Sequence, residues 1–205
     1  MTEPQIAKLA GALVEHQRYL APLSSEDAQW AIQNTKEAIE LFCDAVKNRV
    51  AKVVGKLLEP LGVSFRMFGA KEFIAKKKFV VNTSEDAHVR ISYLGDNFKK
   101  TMLSKTERDV NETELRLSKL KQASLDAPII TELGDRAEIS LVAFYETLAH
   151  KQVARDYTWV IGYIRDVSGV LWAVGAYWYG DGWRVSAGSV WGPDRWYAGG
   201  GFVSR

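Results

Sequence analysis

Residues 172–196 read WAVGAYWYGDGWRVSAGSVWGPDRW, and the alternation in this stretch decides the fold. Its five tryptophans are interleaved with small, β-branched and aromatic residues, a pattern of antiparallel strands rather than of a helix. Asp181-Gly182 suits a two-residue type I′ turn, which needs positive φ at both central positions. Under that turn Trp178 faces Val185, Ala176 faces Ala187, Val174 faces Ser189 and Trp172 faces Trp191. One side of the hairpin is then strongly apolar.

A second two-residue turn at Ser168-Gly169 brings Trp159, Ile161 and Tyr163 onto the same side. This register predicts a core built on Trp159, Trp172, Trp178 and Trp191, each ring able to bury roughly 150–250 Å². It also aligns Gly162, Gly175 and Gly188 across three strands on the opposite face. Glycine weakens a strand by roughly 0.5–1 kcal/mol relative to alanine, so an aligned row predicts a groove approached by a ring, a helix or a ligand. A sharply coiled sheet without a ligand is the alternative. Tyr177 and Tyr179 share the glycine face, and Arg195, Trp196 and Tyr197 follow the Gly-Pro-Asp turn. Gly162, Gly175, Gly188, Tyr177, Tyr179, Arg195, Trp196 and Tyr197 form the candidate partner-binding set.

Upstream of the tail the periodicity predicts mostly helix. Ile6, Leu9, Ala10, Leu13 and Val14 recur at helical spacing before Pro22, and Ile39, Phe42, Val46, Val50, Val53 and Leu57 do so over 38–57, ended by Pro60 and Gly62. Between them, Ser24 with Asp27 and Asn34 with Glu37 offer helix starts, giving two helices or one kinked near Asn34. Further helices are expected over 111–125, opened by Asn111 and Glu114, and from Asp135 and Glu138 through Leu141, Val142, Tyr145 and Leu148. Val63, Phe65 and Met67 alternate as a half-buried strand, and Val89, Ile91 and Tyr93 lead through Gly95-Asp96-Asn97 into a small hairpin ending near Phe98.

The fold class predicted is α+β: a helical N-terminal region with a small β-hairpin, residues 1–155, packed against a C-terminal antiparallel β-sheet, residues 156–205. The short tail is expected to need the helices or another subunit to cover its apolar face.

Composition narrows the function. Hydrophobic residues make up 47% and charged residues 25% of 205 residues, as in ordinary globular chains, and a net charge of +2 gives no polyanion-binding signal for the molecule as a whole. No leader-like or membrane-spanning apolar run is present, and the single cysteine, Cys43, allows no intrachain disulfide. A cytoplasmic protein without membrane association is expected, with Cys43 as a packing residue on a helix. His16, His88 and His150 form no metal-binding spacing, and the phosphate-cradling and nucleophile-elbow motifs are missing. Neither metal nor cofactor is predicted, and no catalytic residue is assigned. Asp166, Asp181 and Asp194 fall at turns, and an enzyme built on them is the weakest of three readings.

The leading reading is a non-enzymatic interaction protein that holds an unidentified protein partner on the glycine-row face, with homo-oligomerisation as one form of it. The alternative is nucleic-acid binding. Residues 44–105 carry thirteen Lys and Arg against six Asp and Glu, and Lys76, Lys77 and Lys78 precede Phe79, pairing phosphate-binding cations with a stacking ring.

Overall fold

The alternation read in the tail belongs to a larger sheet. The structure, a computed structural model, describes residues 25–40, 56–150, 153, 159–192 and 195–205. Internal contacts divide the chain into two units, residues 1–53 and 54–205. In the first, α1 (Ser25–Gln33) is followed by a turn residue at Asn34 and helical backbone over 35–40, so the break falls where the sequence places it. The helix expected over 6–14 and most of that over 38–57 lie outside the described residues, as do His16 and Cys43.

The second unit overturns the expected fold class. Its core is a seven-stranded mixed sheet drawn from both sides of residue 155, in the order β1-β5-β9-β6-β7-β8-β3. The strands are β1 (Leu58–Met67), β3 (Ile91–Leu94), β5 (Thr113–Leu120), β6 (Trp159–Arg165), β7 (Leu171–Tyr179), β8 (Gly182–Ser189) and β9 (Gly201–Ser204). Two of its pairings, β9 with β6 and β3 with β8, are parallel. A separate antiparallel pair joins β2 (Ala70–Ile74) to β4 (Thr106–Val110). Strands therefore dominate residues 58–120, where one strand at 63–67, a small hairpin and a helix over 111–125 were expected.

Each departure has a local cause. Pro60 and Gly62, read as a helix stop, lie in edge strand β1, where proline's missing N–H leaves no central ladder position empty. Gly62 takes φ +66° where the β1–β5 register shifts. Val63, Phe65 and Met67 do alternate with exposed Ser64 and Arg66. The supposed helix at 111–125 is β5, whose Leu115 and Leu117 are buried at period two. Gly95 opens no hairpin; it precedes the short helix α3 (Asp96–Thr101), following the one-turn α2 (Ala75–Lys78).

Two apolar clusters sandwich the middle of the sheet. On one face, Val160, Ile164, Val174, Ala176, Val185 and Val203 pack with Leu141, Phe144, Tyr145 and Leu148 of α5 (Leu141–Ala149) and with Phe73, Phe79 and Phe98. On the other, Ile161, Tyr163, Ala173 and Phe202 pack with Ile129 and Leu133 of α4 (Asp126–Leu133). The expected helix around 138–148 is thus present as α5, started by Ser140, whose Oγ accepts the Ala143 N–H at 3.2 Å. Glu107 reinforces this start by accepting the N–H groups of Leu141 and Val142 at 2.8 and 2.9 Å.

The turns of the tail set a different register from the expected one. Tyr179 pairs with Gly182, so the two-residue loop is Gly180-Asp181, with φ +64° at Gly180 as a type II′ turn requires at its first central position. This slides the β7–β8 pairing by an even step and keeps every side chain on its face. The β6–β7 loop has the opposite effect. Asp166 pairs with Val170 around a three-residue loop in which Gly169 takes φ +81°, and Asp166 accepts N–H bonds from Ser168 and Val170. The odd loop shifts β6 by one residue, and a one-residue slip exchanges the faces.

Candidate functional site

That slip dismantles the glycine row. Gly162 pairs with Val174 and Gly175 with Ile161, placing Gly162 on the α5 face and Gly175 on the α4 face. A Cβ at Gly162 would stand 2.7 Å from Ile139 Cδ1 and 3.0 Å from Phe144, so that glycine admits core side chains rather than a ligand. Gly175 lies under Trp196, whose ring reaches within 3.7 Å of a Cβ built there. Gly188, opposite Ala173, stays open, with nothing within 4 Å.

The expected aromatic core also divides. Trp159 stacks on Trp196 at 5.7 Å and 25°, whereas Trp172 and Trp178 pack on the α5 side. Trp191 is 78% exposed, and Trp183, left out of the expected core, is the one buried to 1% exposure. Trp196 is therefore packing rather than a free anchor. Its indole N–H and the Tyr163 hydroxyl both donate to Asp126 Oδ1, at 2.6 and 2.8 Å. Burial pushes the Asp126 carboxyl above its ordinary range against these two bonds, and burial followed by the Asp126 charge pushes the Tyr163 hydroxyl far up. The triad ties Trp196 to the first residue of α4.

The α4 cover stops short of β8 and β3, and the sheet face beyond it carries the candidate site. Strand alternation places Tyr177 and Tyr179 of β7 on the same face as Arg184, Ser186 and Gly188 of β8, with Tyr177 directly opposite Arg184, and the parallel pairing sets Tyr93 opposite Arg184. The Arg184 guanidinium carbon lies 4.7 Å from the ring centre of Tyr93 and 5.7 Å from those of Tyr177 and Tyr179. The three rings are 42%, 43% and 66% exposed in that order. Such cation–ring contacts hold a guanidinium by attraction to the ring quadrupole.

Arg184 has no carboxylate or hydrogen-bond partner among the described residues, and its Nε is closed off from solvent. An unmatched buried donor costs about 1–3 kcal/mol. The hydroxyls of Tyr93, Tyr177 and Tyr179 likewise have no hydrogen-bond partner among the described residues. Lys99 stands 5.8 Å from the Tyr93 ring but pairs with Asp96 at 3.3 Å. Of the residues read as partner-binding, Tyr177, Tyr179 and Gly188 share this face. Arg195 and the 78% exposed Tyr197 lie at the surface without ring or ion-pair contact to the cluster among the described residues. Sequence reading missed Tyr93 and Arg184. The alternation of Arg184 with Trp183 and Val185 marked its face, but nothing local marked its neighbour.

The remaining chemical candidates lie elsewhere in the fold. Lys76, Lys77 and Lys78 are exposed, whereas Phe79 is 2% exposed and packs on Phe98 at 4.8 Å, so it offers no ring for a base. Asp166 and Asp181 lie at opposite ends of β7, roughly 30 Å apart at about 3.3 Å per residue, and do not converge. Asp194 lies outside the described residues. A cleft of about 520 Å³ near the start of α5 is lined by Lys105, Glu107, Glu112 and Glu138 among others. Its carboxylates already pair, Glu107 with Lys105, Glu112 with Arg66 and Glu138 with Arg165. His88 faces Glu146 at 3.5 Å and His150 stacks on Phe65 at 4.4 Å. Among the described residues no group of three or more His, Cys, Asp or Glu side chains is placed to hold a metal ion, and no helix is long and apolar enough to cross a membrane.

Fold and site together define a mixed-sheet protein with an aromatic, cationic patch on an exposed part of a sheet face. No protein-family model, curated protein or solved structure matches the chain.

Proposed function

We propose that the chain is a non-enzymatic interaction protein that engages a macromolecular partner across the Tyr93, Tyr177, Tyr179 and Arg184 face. One observation carries this reading: three exposed tyrosines surround an arginine that has no hydrogen-bond or ion-pair partner among the described residues. Tyrosine and arginine are the residues that most often dominate binding energy in interfaces, because each buries a large rigid surface and keeps a polar end. A photo-crosslinking side chain at Ser186, compared with one at Lys77, tests it in extracts of the native host. Adducts from position 186 alone, lost in a Tyr177→Ala/Tyr179→Ala chain, are expected; equal adducts from both positions would reject the face.

The nucleic-acid reading keeps one supporting observation, the three exposed lysines of α2, which have no ion pair among the described residues. It predicts filter binding that weakens steeply with salt and loses slope when Lys76, Lys77 and Lys78 are replaced by alanine. Binding that ignores both salt and the triple substitution would remove it.

A further inference from the structure

Resting on the interaction reading above, we infer that the partner is an acidic protein segment, bound in extended form over β8 with a carboxylate on Arg184. A guanidinium carries five N–H donors. Here tyrosine faces surround it at 4.7–5.7 Å, and faces attract the charge without satisfying those donors in their plane. No described carboxylate does so either: Asp96 pairs with Lys99, and exposed Asp181 makes no pair with Arg184. Three phenolic hydroxyls add further donors at the patch. The complement of such a set is a planar, acceptor-only anion, which a guanidinium grips through two parallel bonds.

Acidic peptides present planar carboxylates and nucleic acids tetrahedral phosphates, a guanidinium can grip either, and the charge decides between them. Nucleic-acid affinity accumulates over several neutralised phosphates. Among the described residues this face offers one unpaired cation, in a chain of net charge +2. A single carboxylate within a mainly uncharged contact matches that supply. Shape agrees: beyond Arg184 the face of β8 continues with Ser186 and then Gly188, where even a Cβ would meet nothing within 4 Å. On the β7 side this low strip runs past Gly175 and Ala173, and Tyr177 and Tyr93 flank Arg184 at its end.

The test uses the full chain and an immobilised positional-scanning library of dodecapeptides, acetylated and amidated, with a second set ending in free carboxylates. Asp or Glu should be selected at one internal position. Exchange to Asn or Gln there should lower binding about tenfold, the scale of a charge-assisted bond worth about 1.4 kcal/mol. R184Q should bind without that discrimination. Selection confined to the free-carboxylate set would assign the anion to a chain terminus instead of a side chain, and still supports the carboxylate on Arg184. No peptide binding, no acidic preference, the same preference in R184Q, or tighter capture of a twelve-nucleotide oligothymidylate would each overturn the inference. If R184Q does not fold, the acid-to-amide comparison on the unaltered chain decides alone. Should crosslinking at Ser186 still depend on Tyr177 and Tyr179 while the library shows no acidic preference, the face stands and the acidic partner falls.

Discussion

The guanidinium carbon of Arg184 sits 4.7 Å from the ring centre of Tyr93, across the parallel pairing of β8 with β3. The contact joins two segments that meet only because β3, the edge strand, adds to the end of the tail hairpin. It holds a cation at the surface without neutralising it. A double-mutant cycle of Tyr93→Ala with Arg184→Met, followed by urea unfolding, should give a coupling of about 0.5–1 kcal/mol, the range for exposed cation–ring pairs. A coupling near zero would show that the pair contributes nothing to folding.

The two tryptophans that bracket β8 should respond in opposite ways to truncation. Trp183 is 1% exposed, packs edge-on against Trp178 at 5.4 Å and donates its indole N–H to the Leu148 carbonyl at 3.2 Å. Trp183→Ala is expected to cost about 3–5 kcal/mol. Trp191 is 78% exposed, and Trp191→Ala should stay within about 0.5 kcal/mol of the unaltered chain. Urea midpoints at constant m-value measure both, and similar losses would contradict the placement of β8.

Asp126 makes stability depend on pH in a stated direction. Burial holds its folded pKa above the ordinary value, so the folded chain binds that proton more tightly than the unfolded chain does. Its contribution is fully present below the unfolded value of about 3.9 and is lost as pH rises through the folded value. Asp126→Asn removes the titration. The stability of the unaltered chain relative to D126N should therefore be highest near about pH 3.5 and fall toward about pH 7, read from urea unfolding of both proteins at each pH. A relative stability that rises with pH would reverse the assignment.

Gly162 and Gly188 separate packing from open surface. Gly162→Ala drives a methyl against Ile139 and Phe144 and should destabilise by about 1–3 kcal/mol. Gly188→Ala meets nothing and keeps ordinary backbone angles, so it should be neutral or stabilising by up to about 1 kcal/mol. Thermal unfolding of the two variants checks this, and equal penalties would contradict the observed faces.

Much of the local structure was legible in residue order. Alternation identified β6, β7 and β8, placed Tyr177 and Tyr179 together on one face, and showed Val63, Phe65 and Met67 as a strand, because a side chain's face within a strand depends only on parity. The capping-box pattern at Asn111 and Glu114 misled: Leu115 and Leu117 already alternated with Arg116 and Ser118, and the period-two signal was the correct one.

Which strands lie together, and in what offset, was decided by tertiary packing. The β6 segment WVIGYI is apolar on both faces because α5 covers one side and α4 the other, so nothing in its pattern opposed a one-residue slip. Pairing with β7 through the Asp166 loop chose the register, and with it the separation of Gly162 from Gly175. The Tyr93–Arg184 contact required the parallel arrival of β3, a long-range pairing that no local spacing encodes. Sequence determined which residues alternate; packing between distant segments determined which of them meet, since burial energy depends on the partner surface as well as on the residue itself.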